Sequence, residues 1–301
     1  MERRTTVPGE GPETGAAASR PAVVRVAAAQ LPVPGPGCQE ELFCLMDRLV
    51  AQAAAGGARL VLFPAMTGLC GSPAKAPLDS CHGGVPEAFA EAAATLAGRY
   101  RVYLAPGTIP APVAGGVANT AHLYAPDGSL AGSQAQTHLL PRERGMGLVP
   151  GDELGVFETE VGKVGFLVGT DTWYPEVGRI LALMGADIFL APVAVPAPYS
   201  PWRQVAGLWQ QVQGNQVFGL EAGLAGVLGG DRFEGRSAAM APVEITPGET
   251  GTLAAAPDPG AEALVVADLD YEALRRVRDD YPIFRHLNPG LYRRYLGGAN
   301  S

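Results

Sequence analysis

The feature that most constrains this chain is a repeated beat: a short apolar run, a helical stripe, a glycine stop, and another apolar run. Residues 23–30 are apolar except for Arg25 and Gln30 and read as a buried strand. Leu42, Leu45, Met46, Leu49 and Ala53 then recur at the spacing of one helix face. Gly56-Gly57 ends that helix, because glycine enters the left-handed conformation of a helix stop without steric cost. Residues 59–63 form a second buried strand, closed by Pro64. The beat returns with Pro86 opening a helix whose Phe89, Ala92, Ala93 and Leu96 face inward, Gly98 near its end, and a strand over residues 102–105.

The middle of the chain changes character. Residues 119–124 and 129–139 read as two strands joined by Pro126-Asp127-Gly128, a strong turn signal. Residues 156–161 and 164–168 read as a hairpin about Gly162-Lys163. Pro175-Glu176 opens a helix, with proline and an acid in its first turn. A strand over 188–191, a helix over 205–213 and strands near 217–228, 237–241 and 263–269 follow. Helices alternating with strands and inserted hairpins make a mixed α/β sheet protein. No repeat or linker splits it, so one domain is expected over residues 21–270. Residues 1–20, rich in Gly, Pro, Glu, Thr and Ala, are expected to be a disordered tail, and 271–301 a C-terminal extension.

Composition narrows the function classes. Hydrophobic residues make up 47% of the 301 and charged ones 17%, which suits a packed globular protein. A net charge of -8 argues against nucleic acid as a partner. No apolar run is long enough to span a membrane, and the opening residues lack the apolar core of a signal peptide, so a cytoplasmic protein is expected. The four cysteines (Cys38, Cys44, Cys70 and Cys81) show no CxxC spacing and read as free thiols. Cys81-His82 is too isolated to hold a metal, and no cofactor is expected. The lysines are Lys75 and Lys163 alone.

Several segments, in order, resemble the nitrilase (carbon–nitrogen hydrolase) superfamily. They are residues 24–30, the passage from Gly56 to Pro64, Val149-Pro150-Gly151, residues 161–165, Gly165 to Asp171 followed by Tyr174-Pro175-Glu176, residues 215–218, and Gly235-Arg236-Ser237. The resemblance implies a four-layer α-β-β-α sandwich. It also implies a thiolate nucleophile with a glutamate base and a lysine that stabilises developing charge. The positions it assigns to those groups hold Ala65 for the glutamate, Gln136 for the lysine and Gly169 for the cysteine. Ala65 accepts no proton, Gln136 carries no charge and Gly169 offers no sulfur. Lys75 in a Pro-rich loop and Lys163 in a hairpin turn cannot replace the missing lysine. A further departure is Gln211-Val212-Gln213-Gly214-Asn215, where such enzymes often carry Arg-Ala-x-Glu-Asn.

The resemblance therefore leads to the expectation of a catalytically degenerate member that binds a small amide, nitrile or carboxylate-like ligand or serves as an assembly partner. Its pocket is expected to comprise Ala65, Gln136, His138, Gly169, Thr170 and Trp173. The alternative is an amidohydrolase of non-peptide C–N bonds with Cys70 or Thr170 as replacement nucleophile and His138 as the base for Thr170. Asp171 is expected to satisfy backbone donors, Tyr174 to pack or line the cavity, and Arg142-Glu143-Arg144 to be a solvated loop. A homo-oligomer is expected through the helix that opens at Pro175, with Ile180, Leu181, Leu183 and Met184 apolar on more than one side, and the extension 271–301 packed at that interface.

Overall fold

The computed structural model describes residues 21–34, 38–70 and 85–296. The expected tail, the loop with Lys75, the Cys81-His82 pair and residues 297–301 lie outside the described residues. The first half of the chain forms β1 (Val23–Pro32), α1 (Gln39–Ala55), β2 (Leu60–Leu62), α2 (Val85–Tyr100) and β3 (Tyr103–Ala105). It continues with β4 (Thr108–Val113), β5 (Gly116–Tyr124), β6 (Leu130–Ala135) and the short α3 (Pro141–Gly145). The second half forms β7 (Val156–Thr159), β8 (Gly162–Phe166), α4 (Pro175–Leu183), β9 (Ile188–Val193), α5 (Pro201–Gln204) and α6 (Gln210–Asn215). Then come β10 (Phe218–Leu228), β11 (Asp231–Glu234), β12 (Ala238–Met240), β13 (Thr252–Ala255), β14 (Ala263–Asp270), α7 (Tyr271–Asp280) and α8 (Pro289–Leu296).

The strands form two faces. β14, β1, β2, β3 and β5 lie side by side, with β1, β2 and β3 parallel and β14 antiparallel along the length of β1. β4 and β6 pair with β5. On the other face β7, β8, β9, β10, β12 and β13 follow in order, with β8, β9 and β10 parallel. The faces meet where the end of β1 pairs with β10, at Leu31↔Leu224 and Pro32↔Ala225.

Period-2 alternation assigns the layers. Val26 and Ala28 of β1, with Leu60 and Leu62, face Phe166, Ile188, Leu190 and Leu220 across the middle of the molecule. Their sequence neighbours Ala27, Ala29, Val61 and Phe63 point the other way, onto Leu42, Met46 and Leu49 of α1 and Phe89 and Leu96 of α2. On the far side Phe189 and Ala191 meet Val177 and Leu181 of α4 and Val212 of α6. The result is the expected four-layer α-β-β-α sandwich in one domain. Each fully buried Leu, Ile or Phe in it contributes roughly 1.5–3 kcal/mol. Tyr271 and Leu274 of α7 join the middle layer, so this helix closes one end of the sandwich.

Some expected elements differ. The strand expected over 129–139 ends at Ala135, where Gln136 turns toward Asn119. The 156–168 hairpin turns at Glu160-Val161 rather than at Gly162-Lys163, since Thr159 pairs with Gly162. The helix expected over 205–213 is a π-helical turn over Val205–Trp209 followed by α6, with α5 just before it, because Gly207 leaves helical geometry. Among the described residues no helix is long and apolar enough to cross a membrane, and no group of three or more His, Cys, Asp or Glu could hold a metal.

Candidate active site

Three turns at strand ends build the site. After β2 the chain passes Pro64 and Ala65 and turns at Met66, whose φ of 63° is left-handed. Gly107 lies so close beneath this turn that a Cβ there would stand 1.9 Å from the Pro64 carbonyl oxygen, which only glycine avoids. After β6, Gln136 donates its backbone N–H to the Asn119 carbonyl at 2.9 Å. After β8, a 3-10 turn runs over Gly169–Trp173, entered through the left-handed Gly169 at φ 56°. Together these turns bring Ala65, Gln136 and Gly169 to the wall of one cavity of about 390 Å³, with Asn119, Glu143, Thr170 and Trp173 beside them.

Gln136 is fully buried, and its amide organises the polar part of this wall. Its Oε1 accepts from Asn119 Nδ2 at 2.8 Å. Its Nε2 faces three acceptors: Thr170 Oγ1 at 2.8 Å, the His138 carbonyl at 2.9 Å and Glu143 Oε2 at 3.1 Å. An amide nitrogen carries two N–H groups, so three acceptors share two donors. The Thr170 hydroxyl donates to the His138 carbonyl. Glu143 closes the first turn of α3 by accepting the Leu140 N–H at 2.7 Å. Burial pushes its carboxyl above the ordinary range, against the pull of that N–H and of nearby Arg142.

Behind this wall Asp171 is completely buried. It accepts the Thr137 hydroxyl and the His138 N–H, each at 2.8 Å, as well as the Thr137 N–H. Burial raises its carboxyl, and the bonds from Thr137 and His138 oppose that rise. The His138 ring stacks on Tyr174 at 3.8 Å, and its Nδ1 lies 3.2 Å from Asp171. Gln211 of α6 donates to the carbonyls of Asp171, Thr172 and Tyr174 and braces the 3-10 turn from outside. The facing wall is a strap of residues 194–198 with Arg203, and is mostly apolar.

The structure sorts the expected site residues. Ala65, Gln136, Gly169, Thr170 and Trp173 line the cavity; the His138 side chain is not part of the lining, and this residue acts there through its backbone carbonyl. Cys70 packs under the first sheet at 1% exposure, and burial pushes its thiol up to about 12, so it offers no thiolate to the cavity. Arg142-Glu143-Arg144 is not a solvated loop: Arg142 and Glu143 belong to the cavity wall. The signal passed over in the sequence is Pro141 followed two residues later by an acid, the pattern of a capped first helical turn.

The sequence model of the carbon–nitrogen hydrolase family matches residues 25–279. The chain belongs to the carbon–nitrogen hydrolase family. A probable hydrolase, YhcX, of Bacillus subtilis is 29% identical over 190 residues, which are 62% of this chain and 37% of that protein. An N-carbamoylputrescine amidase of Arabidopsis thaliana is 30% identical over 157 residues, 48% of this chain and 51% of that one. The match thus spans about a third to a half of the length of these two relatives. A carbon–nitrogen hydrolase of Helicobacter pylori, known by crystal structure, shares the fold with a TM-score of 0.78 over 91% of this chain and 98% of its own, at 24% identity.

These comparisons correct one expectation. The relatives are named as a hydrolase and an amidase, and that overturns the reading of a degenerate member that has left catalysis for ligand binding or assembly. The amidohydrolase alternative is the one the relatives favour.

Proposed function

We propose that this carbon–nitrogen hydrolase cleaves small non-peptide amides in the cavity, with Glu143 as the proton-transfer group and water as the attacking group. The observation that carries this reading is a half-buried carboxylate on the cavity wall, joined through Gln136 to the Thr170 hydroxyl. A water oxygen attacks the amide carbon while its proton passes to Glu143. The tetrahedral intermediate then expels the nitrogen, which takes the proton back from Glu143, and a carboxylic acid and an amine or ammonia result. Burial raises the affinity of Glu143 for protons and so suits it to this exchange. Once Glu143 takes the proton it needs the Gln136 Nε2–H less, and that N–H can serve as a neutral donor for the developing oxyanion, a weaker device than a lysine.

Thr170 braces the wall rather than serving as nucleophile. Its proton is already given to the His138 carbonyl, and its oxygen accepts from Gln136. The name of the Arabidopsis relative supports including carbamoyl compounds among the amides. The reading includes a cytoplasmic homodimer formed through α4, whose Ile180, Leu183 and Met184 are 45%, 57% and 47% exposed, with α8 alongside.

The test is turnover of acetamide, longer primary amides and N-carbamoyl amines by the purified protein, read as ammonia release with 18O-water incorporation into the acid. Wild type should turn over at least one class, and Glu143→Gln should not. Full activity in Glu143→Gln overturns the assignment. An acyl group found on Thr170 by mass spectrometry transfers the nucleophile role to that residue.

A further inference from the structure

We propose that Arg203 binds a carboxylate on the substrate, so that the amides this cavity takes carry a negative charge away from the bond that breaks; the inference rests on the hydrolase reading above. The cavity lining contains two guanidinium groups, Arg142 and Arg203, and one carboxylate, Glu143. Arg142 is committed to Asp231 at 3.0 Å, outside the lining. Glu143 is occupied by the Leu140 N–H and the Gln136 amide. Among the described residues no hydrogen bond or ion pair engages the guanidinium of Arg203. The chain holds 30 acidic residues against 22 basic ones, and Arg25, Arg48, Arg59 and Arg99 each find a carboxylate on its surface. A guanidinium left without one at the edge of a cavity has its planar pair of donors available to a ligand.

The backbone beneath Arg203 is fixed. Tyr199 donates its hydroxyl to Glu221 Oε1 at 2.6 Å, and Gln204 donates to the same oxygen at 3.0 Å and to the Arg236 carbonyl at 2.7 Å. Glu221 lies in the middle of β10 at 1% exposure. Both ends of the segment 199–204 are thus clamped to one deeply buried side chain, with Arg203 between them and Ser200 capping its turn. The lining near Arg203 is Val195, Pro196, Ala197 and Pro198, and Trp173 adds an indole. That surface suits a short aliphatic spacer, and the polar cluster about Gln136 suits the amide.

The experiment compares succinamate, an amide with a terminal carboxylate, with butyramide, its neutral counterpart of equal length. Wild type should prefer succinamate in kcat/KM, chiefly through KM. Arg203→Ala should lower kcat/KM for succinamate by about 10- to 100-fold, the range for a lost charge-assisted bond, and change butyramide by less than about threefold. Arg203→Lys should restore part of the preference. Equal kcat/KM for both amides in wild type, or an equal fall for both in Arg203→Ala, overturns the inference while leaving the hydrolase reading in place. Turnover of neither amide defeats the hydrolase reading for them, and calorimetric titration with succinamate then decides: tighter binding by wild type than by Arg203→Ala supports the carboxylate site, and equal binding overturns it.

Discussion

The two walls of the cavity are held in different ways. The wall from Gln136 to Tyr174 rests on many buried bonds: Asp171 fastens residues 137 and 138, Gln211 fastens three carbonyls of the 3-10 turn, and Gln136 joins Asn119, Thr170 and Glu143. The strap opposite is tied to β11 through Ala197 and Tyr199 and to Glu221 through Tyr199 and Gln204, and it leads into a π-helical turn in which Gly207 packs against the Trp173 indole. The groups proposed to do chemistry are therefore held redundantly. The group proposed to choose the substrate, the Arg203 guanidinium, makes no bond of its own among the described residues, so a single substitution there can retune it.

The largest expected effect bears on the first wall. Glu143→Gln keeps the shape and the Leu140 cap acceptor but removes proton transfer, and should lower kcat by about 10²–10⁴-fold with little change in thermal midpoint. Steady-state kinetics beside a melting curve checks it. Asp171→Ala should unfold more readily by about 3 kcal/mol in urea titrations, because the N–H groups of Thr137 and His138 lose a buried acceptor. A loss below about 1 kcal/mol would mean that this wall is no better held than the strap.

The strap has its own signature in pH. Burial raises Glu221 from its ordinary 4.5 to about 7, with Tyr199 and Gln204 partly opposing the rise. The folded state therefore keeps a proton that the unfolded chain releases. Stability present below the unfolded value of 4.5 is lost as pH rises through about 7. Relative to wild type, Glu221→Gln should gain up to about 3 kcal/mol between pH 4.5 and pH 8, since each pKa unit is worth about 1.4 kcal/mol. The groups facing Glu221 are the Tyr199 hydroxyl and the Gln204 amide, and Arg236 acts on Tyr199, so the comparison belongs at constant ionic strength. Parallel pH profiles for the two proteins would remove Glu221 as the anchor. The smallest effect concerns association: Leu183→Arg on α4 should shift a dimer toward monomer in light scattering at micromolar concentration and leave the fold intact.

Legibility in the sequence followed the same division. Strands 23–32 and 60–62 and helices α1 and α2 announce themselves through periodicity and glycine stops, because burial on one or both faces leaves a repeating trace. β4 left no such trace: Pro110 and Pro112 demote it in any propensity reading, yet it pairs along β5 through Thr108 and Ile109. Ala65, Gln136 and Gly169 were placed by resemblance, and their meeting in one cavity follows from turns at three strand ends. Glu143 was hidden between two arginines because a charge run looks solvated unless the cap it closes is known. Arg203 carried no local signal, since what distinguishes it is the absence of a described partner in three dimensions.

The sharing of two Gln136 N–H groups among three acceptors has a chemical consequence for selectivity. Two of those acceptors have a second donor, since the His138 carbonyl also takes the Thr170 hydroxyl and Glu143 also takes the Leu140 N–H, so one Nε2–H can be released without stranding an acceptor. A primary amide brings hydrogens of its own on nitrogen and can offer one to Glu143 as it enters. An ester or a nitrile of the same shape brings only lone pairs and forgoes that bond, worth about 0.5–1.5 kcal/mol. The cavity should therefore discriminate by hydrogen content rather than by carbonyl reactivity: methyl butyrate, although intrinsically easier to hydrolyse than butyramide, should compete poorly against it.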